Sequence, residues 1–493
     1  MGEGCRLVTA EPEYSEGVVC MIKSVGIDLG GIGEHKVRCL DENAQMCDGF
    51  GFDTSRVGLT KLEERIFSDG SNPVIVFEPT GLAWLLVAVY LKSRHPDSRL
   101  VRVQAQKVVA LRKYLNRSSK SDKIDSLTLA KMPFIDPEKL EEIYLPPGKI
   151  YAIQRLARQR KRLESEIAGH KKRIGSIVDG HFPGIRSAFS DPWSAQARAF
   201  LRSRLNPLTV IRAGEKALCA FLTKARKHCR IEASVESHGI YLACREAAAL
   251  YKASSSVGTI DDDFFSSLQD EVSRELRIME MEEAESAAIA NRIEGLYLEI
   301  HPSDNLRTIP GVGSITAPVF LATIGNPARF RSQSSFANYC GVVPGANQSS
   351  DSEAKGLRMT KAGPPIMRWA LFQASQIARA HDPQLACVYY REMVHNGKNH
   401  MQAMGAVMSH MSARVLAVLR EDKPYEIRDI NGSIVSREEA KQIILAKYQV
   451  PEEIRRERRH RKTPGSPNLQ KKLREMLVPR VHEAAAAPQP AVT

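Results

Sequence analysis

The chain has 493 residues, 43% of them hydrophobic, enough to bury roughly two to four separate cores. Its formal net charge of +13 and pI near 9.3 ask for a polyanionic partner, without choosing among DNA, RNA and an acidic membrane surface. No run of about 18 apolar residues occurs, which excludes a membrane span, and the nine cysteines never form a C-x-x-C pair, which argues against a zinc site or a disulfide framework. The first twenty residues carry acids and a proline where a signal peptide needs a basic start and a continuous apolar centre, so a cytoplasmic protein is expected.

From 20 to 140, strand-like and helix-like segments alternate. "VVCMIKSVGIDLG", "HKVRCLDE" and "CDGFGFDT" read as three successive strands, "VGLTKLEERIFS" as a helix, and "SNPVIVFEPTG" as a buried strand. "LAWLLVAVYLKSR" is a helix behind it and "SRLVRVQAQ" a further strand. Three strands followed by strand–helix alternation predict an α/β domain with a mixed sheet, an order compatible with a ribonuclease-H-like core.

From 141 to 305 the pattern is helical. "YAIQRLARQRKRLESEIAGHKKRIGSIVDG" and "DEVSRELRIMEMEEAESAAIANRIEGLYLEIH" both place apolar residues at heptad-like spacing, which predicts an antiparallel coiled coil or an oligomer interface. Residues 185 to 265 between them carry no pattern that assigns them. From 306 to 425 a second helical region opens on "LRTIPGVGSITAPVFLATIG". Its Pro-Gly-x-Gly turn before an apolar helix predicts a helix-hairpin-helix-like element, with Gly311 and Gly313 offering backbone N–H groups to a phosphate. From 426 to 493 a small hairpin, "YEIRDINGSIVS", leads into a helix and a basic tail whose end, "EAAAAPQPAVT", has a disordered composition.

The positive charge is concentrated in two runs. One holds Arg155, Arg158, Arg160, Lys161, Arg162, Lys171, Lys172 and Arg173; the other spans 455 to 480. A single charge run is often a solvated helix face, but two in a basic chain favour phosphate contacts.

Four acids stand out. Asp28 ends the first apolar strand and Glu78 ends "PVIVFEPTG", while Asp122 and Asp125 lie three apart at a helix start and so share a face. Two strand ends and one helix face can bring four carboxylates together. Hard oxygen ligands of this kind suit Mg²⁺, and two such ions suit phosphodiester chemistry. Each acid alone has a structural explanation, as helix cap, dipole partner or strand-end turn residue. "GIDLGG" also opens sugar kinases and actin-like ATPases, but no further glycine-rich phosphate loop or second α/β lobe follows here.

With these motifs in place, the chain resembles the insertion-sequence-110 family of transposases, the DEDD recombinases. "GIDLG", "VFEPTG" and "KSDKIDSLTLA" match its three acidic motifs in order. "IPGVGSITAPVFLATIGNPARFRSQSSFANYCGVVP" and "RMTKAGPPIMRWAL" match its C-terminal domain. The resemblance implies a RuvC-like domain over 20–140 whose Mg²⁺ ligands are Asp28, Glu78, Asp122 and Asp125. It also implies a serine nucleophile between the "GVVP" and "KAG" segments. Counting from Pro344 selects Ser349 and the double-serine form selects Ser350, with Ser349 preferred; the usual following glycine is replaced by Asp351. Arg358, Lys361 and Arg368 are placed in sequence to contact phosphates.

The resemblance further implies a site composed from two subunits of a dimer or tetramer, and double-stranded donor and target DNA as substrates. It implies a structured guide RNA from the element and a prokaryotic, nucleoid-associated location. Two other functions fit the residues: a RuvC-like junction resolvase without serine chemistry, and a non-catalytic nucleic-acid-binding protein.

Overall fold

The computed structural model describes residues 21–30, 33–78, 83–103, 105–116, 121–225, 233–253, 261–345, 348–349, 352–353 and 358–459. Ser350, the 460–493 part of the basic tail and the first twenty residues lie outside them. The chain divides into two compact units, Met1–Pro146 and Pro147–Thr493.

In the first unit, β1 (Ser24–Asp28), β2 (His35–Leu40) and β3 (Met46–Phe52) form an antiparallel meander. α1 (Arg56–Ile66) then crosses over to β4 (Val74–Phe77), and α2 (Ala83–Arg94) to β5 (Arg99–Arg102). β4 pairs parallel with β1 and β5 parallel with β4, giving one mixed sheet in the order β3-β2-β1-β4-β5. α3 (Ala105–Asn116) and α4 (Asp122–Ile135) complete the unit. The expected mixed α/β architecture is therefore present.

β1 is central and buried on both faces, which is why "SVGID" shows no polar alternation. One face packs Val25, Ile27, Ile75 and Phe77 against α1 and α2. On the other, Val76 and Val101 meet Val108 of α3 and Leu129 and Met132 of α4.

The second unit is built on α5 (Gly148–His181), 34 residues long. α6 (Ala195–Ser203), α7 (Pro207–Ala213), α8 (Glu215–Ala225) and α9 (Ala233–Ala253) follow, then the 39-residue α10 (Asp262–Ile300). α5 and α10 run antiparallel: Lys149 pairs with Glu299 at 2.8 Å, Ser286 donates to Glu164 at 2.8 Å, and His170 meets Glu275 at 2.6 Å. Ile167, Ile174 and Val178 face Val272, Leu276 and Met279 along this seam, so the heptad spacing is spent on an intrachain pair. α6 to α9 fill much of the 185–265 stretch that sequence pattern left unassigned, packing Phe200, Val210, Leu218 and Cys244 into the same core.

Beyond a short 3₁₀ turn at Asn305–Thr308 come α11 (Thr316–Ile324), α12 (Gln333–Cys340), and a two-stranded ribbon of β6 (Gln348–Ser349) and β7 (Ser352–Glu353). α13 (Pro365–Ala378), α14 (Pro383–Tyr390), α15 (His400–Glu421), α16 (Arg437–Lys447) and α17 (Glu452–Arg459) follow. α11 is buried almost all round, as its apolar "TAPVFLATI" requires, and shares one core with α13, α15 and the outer ends of α5 and α10. The hairpin read in "YEIRDINGSIVS" forms, with Arg428 bridging Ile434 and Gly432 at φ +87° in its turn. Among the described residues no helix is long and apolar enough to cross a membrane.

Candidate active site

The acids are positioned by the seat of α4 on β1. Ser24 donates its hydroxyl to the Ala130 carbonyl at 2.7 Å, so Ser24 faces α4. Two residues on, a Cβ added to Gly26 would lie 2.0 Å from the Ser126 carbonyl oxygen and 2.3 Å from the Ala130 nitrogen. Only glycine lets the helix backbone come this close. The strand thus ascends from Ser24 to Gly26 while the helix descends from Ala130 to Ser126: the two run antiparallel. Two further strand residues rise about 6.6 Å and the four helical residues from Ser126 to Asp122 about 6 Å, which puts Asp122 level with Asp28.

Side-chain alternation puts Asp28 on the same sheet face as Ser24 and Gly26. In the neighbouring parallel strand Ile27 is in register with Phe77, so Asp28 and Glu78 are adjacent, on strands about 4.8 Å apart. Val76 packs on Leu129 and Met132, and Glu78 lies two residues beyond it on that strand's line. Asp28, Glu78 and Asp122 therefore share the carboxyl edge of the parallel strands and the face that α4 covers, where α/β sheets commonly place their ligands. Ser121 caps α4 by accepting from the Ile124 N–H, and Asp122 and Asp125 in its first turn complement the helix dipole.

Asp125 has a different environment. Both its carboxylate oxygens accept from Nη1 of Arg112 on α3, at 2.7 and 2.8 Å, with the two side chains only 16% and 12% exposed. Arg112 was not singled out by motif reading, because its role arises from α3 packing on α4. The four carboxylates are chemically right for Mg²⁺, and three share one face. Closing on an ion would still require side-chain rearrangement, since among the described residues no three His, Cys, Asp or Glu groups stand together as a ready metal site.

In the second unit, Ser349 pairs with Ser352 across the β6–β7 ribbon, which places it at the tip of a hairpin. The foot of the hairpin is tightly fixed. Pro344 bridges Met359, the Gly345 N–H donates to the Arg358 carbonyl at 2.9 Å, and the Thr360 N–H donates to Val343 at 3.0 Å. Gly341 ends α12 at φ +67°, and a Cβ on Gly363 would lie 1.9 Å from the Tyr339 carbonyl oxygen, so the "KAG" segment lies directly on the end of α12. Arg358 and Lys361 are exposed, whereas Arg368 is half-buried and donates to the Gly363 carbonyl, which gives it a structural tie.

The basic helix α5 is partly neutralised. Arg160 reaches Glu164 and Arg162 reaches Glu166, while Lys171 faces Glu283 and Arg173 faces Glu275. Arg155, Arg158 and Lys172 are exposed, and among the described residues none makes an ion pair. In the Pro-Gly-x-Gly turn, Gly311 at φ +84° packs against Ala374, and the Gly313 N–H is taken by the Thr316 hydroxyl at 3.0 Å. Gly313 itself remains exposed.

A mixed five-stranded sheet with acids at the carboxyl edge of its parallel strands, joined to a helical unit, is an α/β-plus-α architecture consistent with the RNase H-like class. Residues 25–183 match the DEDD_Tnp_IS110 transposase family, and residues 303–390 match the Transposase IS116/IS110/IS902 family. The chain belongs to the IS110 family of transposases. It is 30% identical over 128 residues to the pilin gene-inverting protein of Moraxella bovis, covering 26% of this chain and 40% of that protein. It is 32% identical over 132 residues to the insertion element IS110 uncharacterized 43.6 kDa protein of Streptomyces coelicolor, covering 27% of this chain and 32% of that one. The matched stretches thus span well under half of these relatives.

Proposed function

We propose that the protein is a DNA recombinase of an insertion sequence, excising and inserting DNA with a serine nucleophile. The observation that carries the reading is the antiparallel seat of α4 on β1, which brings Asp122 level with Asp28 beside Glu78. The name of the Moraxella relative speaks of gene inversion, itself a rearrangement of DNA.

Asp28, Glu78 and Asp122, with Asp125 once it is released by Arg112, would hold Mg²⁺. The ion would supply charge neutralisation at the phosphate and a lowered pKa for a bound hydroxyl. The hydroxyl of Ser349 or Ser350 attacks the scissile phosphorus, forming a phosphoserine ester as the bond to the departing strand's oxygen breaks; that oxygen takes up the serine proton. Attack on the ester by a hydroxyl of the other duplex reverses these bonds and joins the exchanged strand. Arg358 and Lys361, exposed at the hairpin's foot, would neutralise the phosphate. A structured guide RNA and a dimer or tetramer complete the reading, supported by the family's pattern, the charge of +13 and the exposed cations of α5.

The test is an excision and insertion assay on Asp122→Ala and on the double variant Ser349→Ala with Ser350→Ala, beside trapping of a protein–DNA adduct on denaturing gels. Loss of activity in both, with an adduct in the wild type alone, is expected. Wild-type activity in both variants would overturn the proposal, and cleavage without any adduct would point to a resolvase.

A further inference from the structure

A cavity of about 540 Å³ lies between α5, α10, the Ser314–Ile315 turn and α13, within the range of small-ligand sites, about 300–1,000 Å³. Ala157, Ile293, Ile315 and Val319 give it an apolar wall, and the half-buried indole of Trp369 another. The Lys161 ammonium stands 4.4 Å from the centre of that indole.

The cavity's polar groups are unequally occupied. Glu164 is engaged by Arg160 at 3.3 Å and by the Ser286 hydroxyl at 2.8 Å, and Glu294 is engaged by Arg307. Lys161 has no carboxylate partner among the described residues, and burial holds its pKa below the ordinary lysine value. The Nε of Arg160 is buried with no hydrogen-bond acceptor among them either. The spare capacity is thus cationic and donating, next to a flat aromatic surface. A ligand that satisfies both carries an acceptor anion and an apolar ring.

We propose that this cavity takes one unstacked nucleotide of a nucleic-acid strand, its base displacing the Lys161 ammonium from the face of Trp369 and its phosphate taking up Lys161 and Arg160. Arg158, one helical turn before Lys161 on the exposed side of α5, with Arg155 beyond it, provides cations for the neighbouring phosphates. That extension favours a base within a strand over a free nucleotide. Stacking on an aromatic side chain is sequence-tolerant, so the cavity would grip an unpaired position without reading its identity. The inference rests on the chain's reading as a nucleic-acid enzyme and adds to it a binding site that uses neither the acids nor the serine.

The experiment uses the full chain and oligonucleotides carrying a single 2-aminopurine: a DNA single strand, an RNA hairpin with the probe in its loop, and a fully paired DNA duplex. Binding should quench the probe in an unpaired position and leave it unchanged in the duplex. Quenching in the DNA arm or in the RNA arm alone assigns the source. Trp369→Leu should abolish the quench and weaken binding by about 5- to 150-fold. Lys161→Met should weaken it less and lower the salt slope by about one. Circular dichroism checks that the variants fold, and Lys161→Met carries the test alone if Trp369→Leu does not. Unchanged affinity and quenching in the folded variants would overturn the proposal. Asp122→Ala should keep the quench while losing recombination, so failure of the acidic-site reading is separable from failure of this one.

Discussion

Gly26→Ala is the sharpest test of how the fold builds its acidic edge. The added methyl would lie 2.0 Å from the Ser126 carbonyl oxygen, against an ordinary contact beginning at 3.4 Å, so α4 would have to rise from β1 by about 1.4 Å. The obstacle is helix backbone, with the Ala130 nitrogen at 2.3 Å, and no rotamer change relieves it. Overpacking of a close-packed core costs about 1–3 kcal/mol, and a backbone clash belongs at the upper end. For a unit of this size that corresponds to a fall in Tm of roughly 5–15 °C. The lift would also strain the 2.7 Å Ser24–Ala130 hydrogen bond and withdraw Asp122 from Asp28. Thermal unfolding of the full chain by differential scanning calorimetry, beside the excision assay, should show a lowered first-unit transition and strand cleavage reduced by more than tenfold. An unchanged transition with full activity would refute the account of α4 as seated on the glycine.

Three other outcomes follow from named contacts. Arg112→Gln leaves the Asp125 carboxylate without its cation and should destabilise the chain by about 1.5–3 kcal/mol in metal-free buffer. Millimolar Mg²⁺ should recover part of the lost Tm, and an identical loss with and without Mg²⁺ would sink the link between Arg112 and the acidic edge. The hydrogen bonds from Arg198, at 2.6 and 3.1 Å, hold the Glu283 carboxyl below its ordinary pKa of 4.5, with burial opposing and Lys171 assisting. A depressed carboxyl stabilises the fold above the unfolded value and ceases to as pH falls through the folded one. Glu283→Gln should therefore lower Tm at pH 7 and converge on wild type as pH falls below 4.5 and through the depressed folded value, whereas a constant gap would exclude this pair as the cause. Gly363→Ala would set a methyl 1.9 Å from the Tyr339 carbonyl oxygen and shift the serine hairpin's foot. Adduct formation should fall more than tenfold with DNA binding retained, and normal adduct yield would show that the foot tolerates movement.

Much of the first unit was legible because strand and helix signals there are local. A strand ending on Asp28, another ending one residue short of the expected Glu78, a helix start at Asp122 and alternating helices all follow from neighbours in sequence, although the cap of that helix is Ser121 and not Asp122. The heptad spacing of α5 and α10 predicted a pair but could not say whether the partner was the same chain, since one apolar stripe fits either. The stretch from 185 to 265 stayed opaque because its helices are short and its apolar residues meet distant α5 and α10. Even so, Asn206 before Pro207 is a helix-start signal that periodicity alone passed over, with the Asn206 side chain accepting from Leu208 and Thr209.

What the sequence determined by itself is the inventory: which residues end strands, start helices and carry charge, and in what order the family's blocks occur. Those properties depend on side-chain chemistry and on spacing within a turn or a strand. It is the three-dimensional contacts that make Gly26 the floor on which α4 rests, set Arg112 on Asp125, answer half the cations of α5 with acids, and stand Lys161 over Trp369. Each is a meeting of elements far apart along the chain or of faces that no periodicity distinguishes, and packing alone selects which of them touch.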